Sequence, residues 1–406
     1  MATSKSVQRI AVVGAGWAGL AAAVRAVQGG HRVTVLEASR SLGGRARGVE
    51  VTLPSGERLR LDNGQHVLLG AYAQTLTLME TVGIDLDAVF TRLPVKLGLL
   101  QTQRWSLWDY LSLARMAAGW CLQGFSCPQG TTVLTLCKQA SPRVMADVIE
   151  PLCLSALNTA PFEASGCVFL RVLKDAFWRQ GGRYKSSSIK SSDIKSSDML
   201  IPKVDLSTLF PDLAAHWLCS QGADVQLGVR IVDLEALQNQ FDHVVIATPP
   251  WEAARLLRKL APAWAASVDA LAYRAIATVY AQAPDDFDLI SPMRAMASDA
   301  GHPAQFVFQR RETHSSCKRL LAFVVSDAPS DRAALERLVL AQGEAALGVA
   351  LRPVMTIVEK RATFACTAQM TRPAKLALAG LSVVGDYVEG VYPATIEGAV
   401  LSALQN

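Results

Sequence analysis

The apolar and polar positions of this chain fall into three textures. The first consists of short, wholly apolar runs. Ile10–Val13 reads IAVV, which suits a parallel strand covered on both faces. Gly14-Ala-Gly-Trp-Ala-Gly19 follows, then an Ala-rich helical stretch from Leu20 to Gln28 that Gly29-Gly30 stops. Arg32–Leu36 is a second strand, closed by Glu37. The second texture, from about Tyr72 to Phe210, has Leu, Met and Trp at helical spacing. Strand-like runs then return. Asp224–Val229 alternates, and His243–Pro250 is an apolar run ended by two prolines. Between 260 and 375 the pattern predicts strands over Ala275–Ala281, Gln305–Gln309 and Leu320–Val325, with a helix near Ser330–Leu347. The end regains the first texture, with a strand Leu381–Val384, a turn Gly385-Asp386 and a helix Ala394–Leu404 whose first turn holds Pro393.

This order predicts an α/β fold. A Rossmann-like domain is assembled from residues 1–71, 211–258 and 376–406, and an α+β domain is interleaved with it, helical over 72–210 and sheet-forming over 259–375. Lys185–Met199 repeats a KSS motif every five residues. So short and polar a repeat cannot bury a core, and residues 183–199 read as a flexible loop.

Composition narrows the classes. Half of the 406 residues are hydrophobic and only 18% are charged, against about 25% in an average soluble domain. The formal charge of +5 carries no dense basic block, which excludes a disordered chain and a nucleic-acid binder. The eight cysteines contain no C-x-x-C spacing and most have apolar neighbours, so they read as buried free thiols in a reducing compartment. Six scattered histidines without H-E-x-x-H predict no metal site. The polar N-terminus runs straight into a strand, and no run reaches the ~20 apolar residues of a membrane span. The expected location is the cytoplasm, with any membrane contact made peripherally from the inner face.

Gly14, Gly16 and Gly19 form G-x-G-x-x-G between a strand and a helix, and Glu37 ends the next strand at close to the expected ~20-residue distance. Gly14 permits the tight turn, Gly16 lets backbone approach a pyrophosphate, and Gly19 lets the helix pack on the strand. The helix N-terminus at Ala18 offers N–H groups to phosphate, and Glu37 can accept from ribose hydroxyls. Gly43 and Gly44, followed by Arg45 and Arg47, make a second loop suited to phosphate. In Asp62-Asn-Gly-Gln-His66, Gly64 lets backbone approach a flat ring, and Gln65 and His66 offer hydrogen bonds beside it. Asp386 can accept from sugar-type hydroxyls, and a helix starting near Thr395 and Ile396 would aim its N–H groups at negative charge.

Glu37-Ala-Ser-Arg-Ser-Leu-Gly-Gly-Arg45 resembles the signature of the flavin amine oxidase and carotenoid desaturase superfamily, in which these positions embrace the pyrophosphate of FAD. Asp62–His66 narrows the likeness to the bacterial squalene-associated FAD-dependent enzymes, the hydroxysqualene dehydroxylases. Pro151–Ser165, Pro202–Pro211, Gly385-Asp386 and Tyr392–Ala399 are similar to the same family. The resemblance implies a flavin amine oxidase-like fold that binds FAD, with a backbone contact to adenine near Val229, and with Tyr387 and Tyr392 flanking the ring. It implies reductive dehydroxylation of hydroxysqualene, a hydrophobic C30 isoprenoid, to squalene for hopanoid synthesis. The family's usual Arg two residues after the acid is Ser39 here, and the short span from Val229 to Val244 leaves no room for the family's small hairpin. For the acid that protonates the leaving hydroxyl, His66 leads and Asp62 and Glu163 follow. A carotenoid-type polyene desaturase remains open on the same motifs, as does a non-catalytic prenyl-lipid carrier, although the intact glycines speak against the carrier.

Trp105, Trp108, Tyr110, Trp120 and Phe125, with Arg104, Arg115 and Met116, fit a membrane interface, a tunnel wall and a plain core equally well.

Overall fold

The computed structural model describes residues 6–53, 56–94, 104–178, 183–184, 194–310 and 319–405. Among these, a six-stranded sheet runs in the spatial order Asp224–Leu227, Arg32–Glu37, Arg9–Val13, His243–Ile246, Leu381–Val383 and Ala377–Leu378. Its first five strands are parallel, and the last turns back antiparallel. Side chains alternate across the central strand. Ile10 and Val12 join the core beneath Trp17–Gln28, Pro211–Ser220 and Ile396–Leu404, while Ala11 and Val13 join the core under Pro250–Leu257 and Pro262–Asp269. That two-sided burial is why the run contains no polar residue.

A second, antiparallel sheet is ordered Met293–Ala295, Phe306–Arg310, Leu320–Ser326, Tyr273–Gln282 and Arg352–Phe364. Its Ala277, Val279, Val307, Leu321 and Phe323 pack under the helix Arg332–Leu347. Its other face turns Tyr280, Phe306, Phe308 and Ala322 toward the helices of residues 107–173.

Several boundaries differ from the sequence reading. The first helix starts at Trp17, so Gly19 lies inside it. The last helix starts at Ile396, capped by the Thr395 hydroxyl on the Gly398 N–H, and Pro393 precedes the cap. Ala394 between them takes a left-handed φ of +56°. The reading of 183–199 as an unstructured loop fails at its ends. Arg183–Tyr184 pairs with Ile194–Lys195, and Asp198–Pro202 is the middle strand of a three-stranded sheet. The remainder, 185–193, lies outside the described residues. Between Val229 and Val244 stands a short helix, Leu234–Gln238. The thiols also depart from expectation. Cys137, Cys153 and Cys366 are buried, but Cys219 is exposed, and half-buried Cys127 and Cys167 hold their sulfurs 3.2 Å apart.

Of the aromatic stretch, Met116 and Trp120 belong to the core, whereas Leu107, Trp108, Tyr110, Leu111 and Leu122 face outward on the helix Leu107–Leu122. The one acid of this helix, Asp109, points inward and accepts from Ser106 and Ser141.

Candidate functional site

Two glycine turns meet at the carboxyl end of the six-stranded sheet. Gly14 has φ +106°, and a Cβ there would stand 2.7 Å from the Ala247 carbonyl oxygen. A Cβ at Gly19 would stand 1.9 Å from the Gly14 carbonyl oxygen, so only glycine lets the helix approach this closely. Gly16 bridges Gly43, and the Gly43 N–H donates to Ala15 at 2.9 Å. Among the described residues no side chain caps the helix that begins after Gly16, so its first N–H groups remain available to an anion. The Glu37 carboxylate accepts from the N–H groups of Ala15 and Ser39, each at 2.7 Å, which fixes it at the rim of both loops.

These loops open into a cavity of about 650 Å³. Its lining also includes Arg45, the loop Asn63–Val67, Asp386, Thr395 and Ile396. Leu152, Phe169, Met199, Met293, Phe306 and Phe308 give it a broad apolar wall. Arg45 donates to Asp386 and to the Ala362 carbonyl. Burial works against its charge, but Asp386, Tyr273 and Glu359 together hold the guanidinium above its ordinary pKa.

The loop after Asp62 is pinned from beneath. Buried Arg310 donates to the Asp62 carboxylate at 2.6 Å and to Gln65 Oε1 at 2.9 Å. Tyr280 donates to the Asp62 carbonyl at 2.9 Å, and the Gln65 N–H donates to Thr278 Oγ1 at 3.3 Å. Asn63 ties the loop sideways through the Arg45 carbonyl and the Arg47 N–H. His66 Nδ1 lies 2.7 Å from the Gly64 carbonyl. A carbonyl only accepts, so Nδ1 carries the proton and Nε2 of the neutral ring is an acceptor. Burial lowers the His66 pKa and favours that neutral form.

A second polar cluster stands in the cavity wall. One wide helical turn, Lys174–Trp178, presents Asp175, which accepts from the Tyr392 hydroxyl at 2.5 Å and from Arg171 Nε at 2.7 Å. Burial and then Asp175 push the Tyr392 hydroxyl up to about 12. Nearby, Asn158 takes a left-handed φ of +45° at the end of Glu150–Leu157 and joins that helix to the second sheet through Thr363 and the Asp327 N–H.

His66 lines the cavity, as does every cofactor-binding residue predicted from the sequence except Gly19 and Val229. Gly19 is packed behind Gly14, and the Val229 N–H donates to the Glu37 carbonyl at 2.8 Å. Asp62 and Glu163 are corrected as candidate acids. Asp62 is buried under the loop against Arg310, and Glu163 pairs with Arg274 at 2.6 Å away from the cavity lining. Sequence reasoning missed Arg310, Asp175, Arg171 and Asn158. Only Asn158 left a signal, an Asn closing an apolar helix where a left-handed residue is favoured.

Residues 12–81 match the family profile of NAD(P)-binding Rossmann-like domains, and residues 218–406 match that of flavin containing amine oxidoreductases. The chain is 28% identical to a hydroxysqualene dehydroxylase of Rhodopseudomonas palustris, covering 96% of this chain and 95% of that one. It is 25% identical to a hydroxysqualene dehydroxylase of Zymomonas mobilis, covering 96% of each. Among solved structures, an oxidoreductase from Methanosarcina mazei superposes with a TM-score of 0.71 at 18% identity, over 98% of this chain and 99% of that one.

Proposed function

We propose, for a chain that belongs to the flavin amine oxidase superfamily and is an FAD-dependent oxidoreductase, that it reductively dehydroxylates hydroxysqualene to squalene for hopanoid synthesis. The observation that carries this reading is a continuous cavity that joins the two glycine loops to a wall of Leu, Met and Phe side chains. It offers one end to a dinucleotide and the other to an isoprenoid chain. The full-length relatives named for that reaction give the substrate class.

FAD, when bound, supplies the hydride. The open N-terminus of Trp17–Gln28 and the Gly43-Gly44 turn would hold its pyrophosphate, Glu37 its ribose, and Arg45, Asp386 and the N–H groups at Thr395 and Ile396 its far end. The reaction consumes one hydride and one proton, and it releases the hydroxyl as water. Tyr392 is assigned the proton. A departing hydroxide has water as its conjugate acid, with a pKa of about 15.7, so a phenol held above its ordinary pKa is still acid enough to protonate it. Arg171 pairs with Asp175 and offsets its charge beside the Tyr392 hydroxyl, which donates to the same carboxylate. His66, with Nε2 as acceptor, orients a hydroxyl rather than acidifying it. The apolar wall keeps water from trapping the electron-poor allylic carbon.

Among the described residues no helix is long and apolar enough to cross a membrane. The reading includes a peripheral contact with an anionic lipid surface through the outer face of Leu107–Leu122. There Leu107, Trp108, Leu111 and Leu122 are exposed with Arg104 and Arg115, and no acid faces outward. On the inner side of this helix Trp120 meets Phe169 edge-on at 6.4 Å, and Phe169 lines the cavity. The helix and its Trp120 side chain therefore stand between the outward face and the cavity wall.

The test mixes photoreduced, anaerobic protein with hydroxysqualene and follows flavin absorbance and lipid product together. Reoxidation with squalene appearing is the expected result. Flavin that stays reduced, and oxidised flavin that a polyene reduces, would replace this reading with a desaturase.

A further inference from the structure

The buried charge at Arg310 has no part in the chemistry assigned above, yet it is among the most enclosed side chains of the protein. It stands on the strand Phe306–Arg310, where Phe306, Phe308 and Arg310 share one face by the two-residue period. The two phenylalanines form cavity wall. Beyond them the same sheet turns polar toward one short loop. Arg310 reaches Asp62 and Gln65, Tyr280 reaches the Asp62 carbonyl, and Thr278 reaches the Gln65 N–H. The second Asp62 oxygen accepts the Leu206 N–H at 2.7 Å, so the carboxylate is satisfied on both sides.

We infer that Arg310 is a positioning residue for the cofactor site. Its guanidinium bridges the first and fourth residues of Asp62–Gln65 and so fixes how Asn63–His66 presents its backbone and amide to the cavity. A buried ion pair is a poor source of stability, because desolvating both charges offsets their attraction, and well-packed apolar substitutes often do as well. What an apolar pair cannot do is direct the Gln65 side chain. With Arg310 donating to Oε1, Gln65 must turn its Nε2 away, where it meets the His66 carbonyl at 3.3 Å. One cation therefore sets the amide orientation and, through it, the geometry of the next residue. Asp62, which the sequence offers as an acid, is on this reading the anchor of the loop.

The inference rests on FAD binding but not on the dehydroxylase reading, because its readouts are the flavin spectrum, its midpoint potential and the dissociation constant for FAD, all measured without substrate. Three variants of the full chain separate positioning from stability. Arg310→Met leaves Asp62 buried without its cation and is expected to lower the melting temperature and to weaken FAD binding. Asp62→Leu/Arg310→Met removes both charges. It is expected to regain most of the melting temperature while FAD binding stays at least tenfold weaker and the flavin band and potential stay shifted. Gln65→Met keeps the ion pair and is expected to reproduce the spectral and potential shift with a smaller loss of melting temperature than Arg310→Met, since one buried guanidinium N–H loses its acceptor. A double variant with wild-type spectrum, potential and affinity would overturn the inference, because the pair would then serve stability alone. Should the double variant fail to fold, Gln65→Met decides, and an unaltered spectrum and potential in that variant overturns it equally.

Discussion

The outer face of Leu107–Leu122 allows a quantitative test of peripheral binding. Leu107, Trp108, Leu111 and Leu122 are 75, 73, 50 and 90% exposed. Burying a Leu-sized side chain completely contributes about 1.5–3 kcal/mol, so at these exposures each has about 1–2 kcal/mol still to gain from an apolar medium. Arg104 and Arg115 each add about 1 kcal/mol beside an anionic surface. Trp108→Glu/Leu111→Glu removes about 2–4 kcal/mol of apolar transfer and sets two carboxylates against lipid phosphates. At about 1.4 kcal/mol per tenfold, the apolar loss alone should lower partitioning onto phosphatidylglycerol-rich vesicles by about 30- to 700-fold in a co-sedimentation assay, and the two carboxylates should lower it further. Raised salt should weaken the wild-type protein further, as screening removes the arginine contribution. The melting temperature should stay nearly constant, since exposed substitutions away from special features change stability by about 0.5 kcal/mol or less. Equal vesicle binding by the variant and the wild type would refute the assignment of this face.

Four further outcomes follow from the geometry. Gly14→Ala forces a Cβ toward the Ala247 carbonyl in a backbone region that costs other residues about 1–2 kcal/mol, so the variant should purify without flavin and with a lower denaturant midpoint; a yellow protein of unchanged midpoint contradicts the turn's role. Tyr392→Phe should slow squalene formation by about 10²–10⁴-fold while photoreduction of the flavin proceeds normally, and unchanged turnover would remove Tyr392 as the acid. His66 and His243 both have pKa values lowered by burial, so the unfolded chain takes up protons first as pH drops below about 6.5. Stability present above that pH is then lost as pH falls toward the folded-state values, and His66→Gln should flatten the midpoint-against-pH curve between 7.5 and 5. Mild oxidation with diamide should join Cys127 to Cys167, whose sulfurs are in contact, and peptide mapping that finds both thiols free would reject the pairing.

The nucleotide half of the protein was legible because each of its residues answers to a local rule. Gly14 and Gly19 are required by backbone contacts within a few residues or at the end of a neighbouring strand, and the apolar run Ile10–Val13 records burial on two faces. The second half was legible as strands and helices but not as a site. Arg310 meets Asp62 across 248 positions, and Tyr392 meets Asp175 across 217, and no periodicity reports such encounters. A buried arginine reads in sequence as a surface charge, and an acid beside the motif reads as a catalyst. For the same reason Asp62 reads in the sequence as a candidate acid behind His66, whereas in the fold it is buried against Arg310. The stretch around Trp108 reads equally as interface, tunnel wall or core because its helix buries a carboxylate and exposes leucines, the inverse of the pattern that amphipathic reasoning assumes.

The central strand Arg9–Val13 lies between Arg32–Glu37 and His243–Ile246. The first partner leaves the ribosome almost at once. The second emerges only after the whole helical segment has been made, roughly 10–45 s later at about 5–20 residues per second. Throughout that interval an apolar strand edge stands open to any other nascent chain. Translation speed across residues 40–240, and the chaperones available during it, should therefore affect the yield of folded protein independently of the stability of the finished molecule.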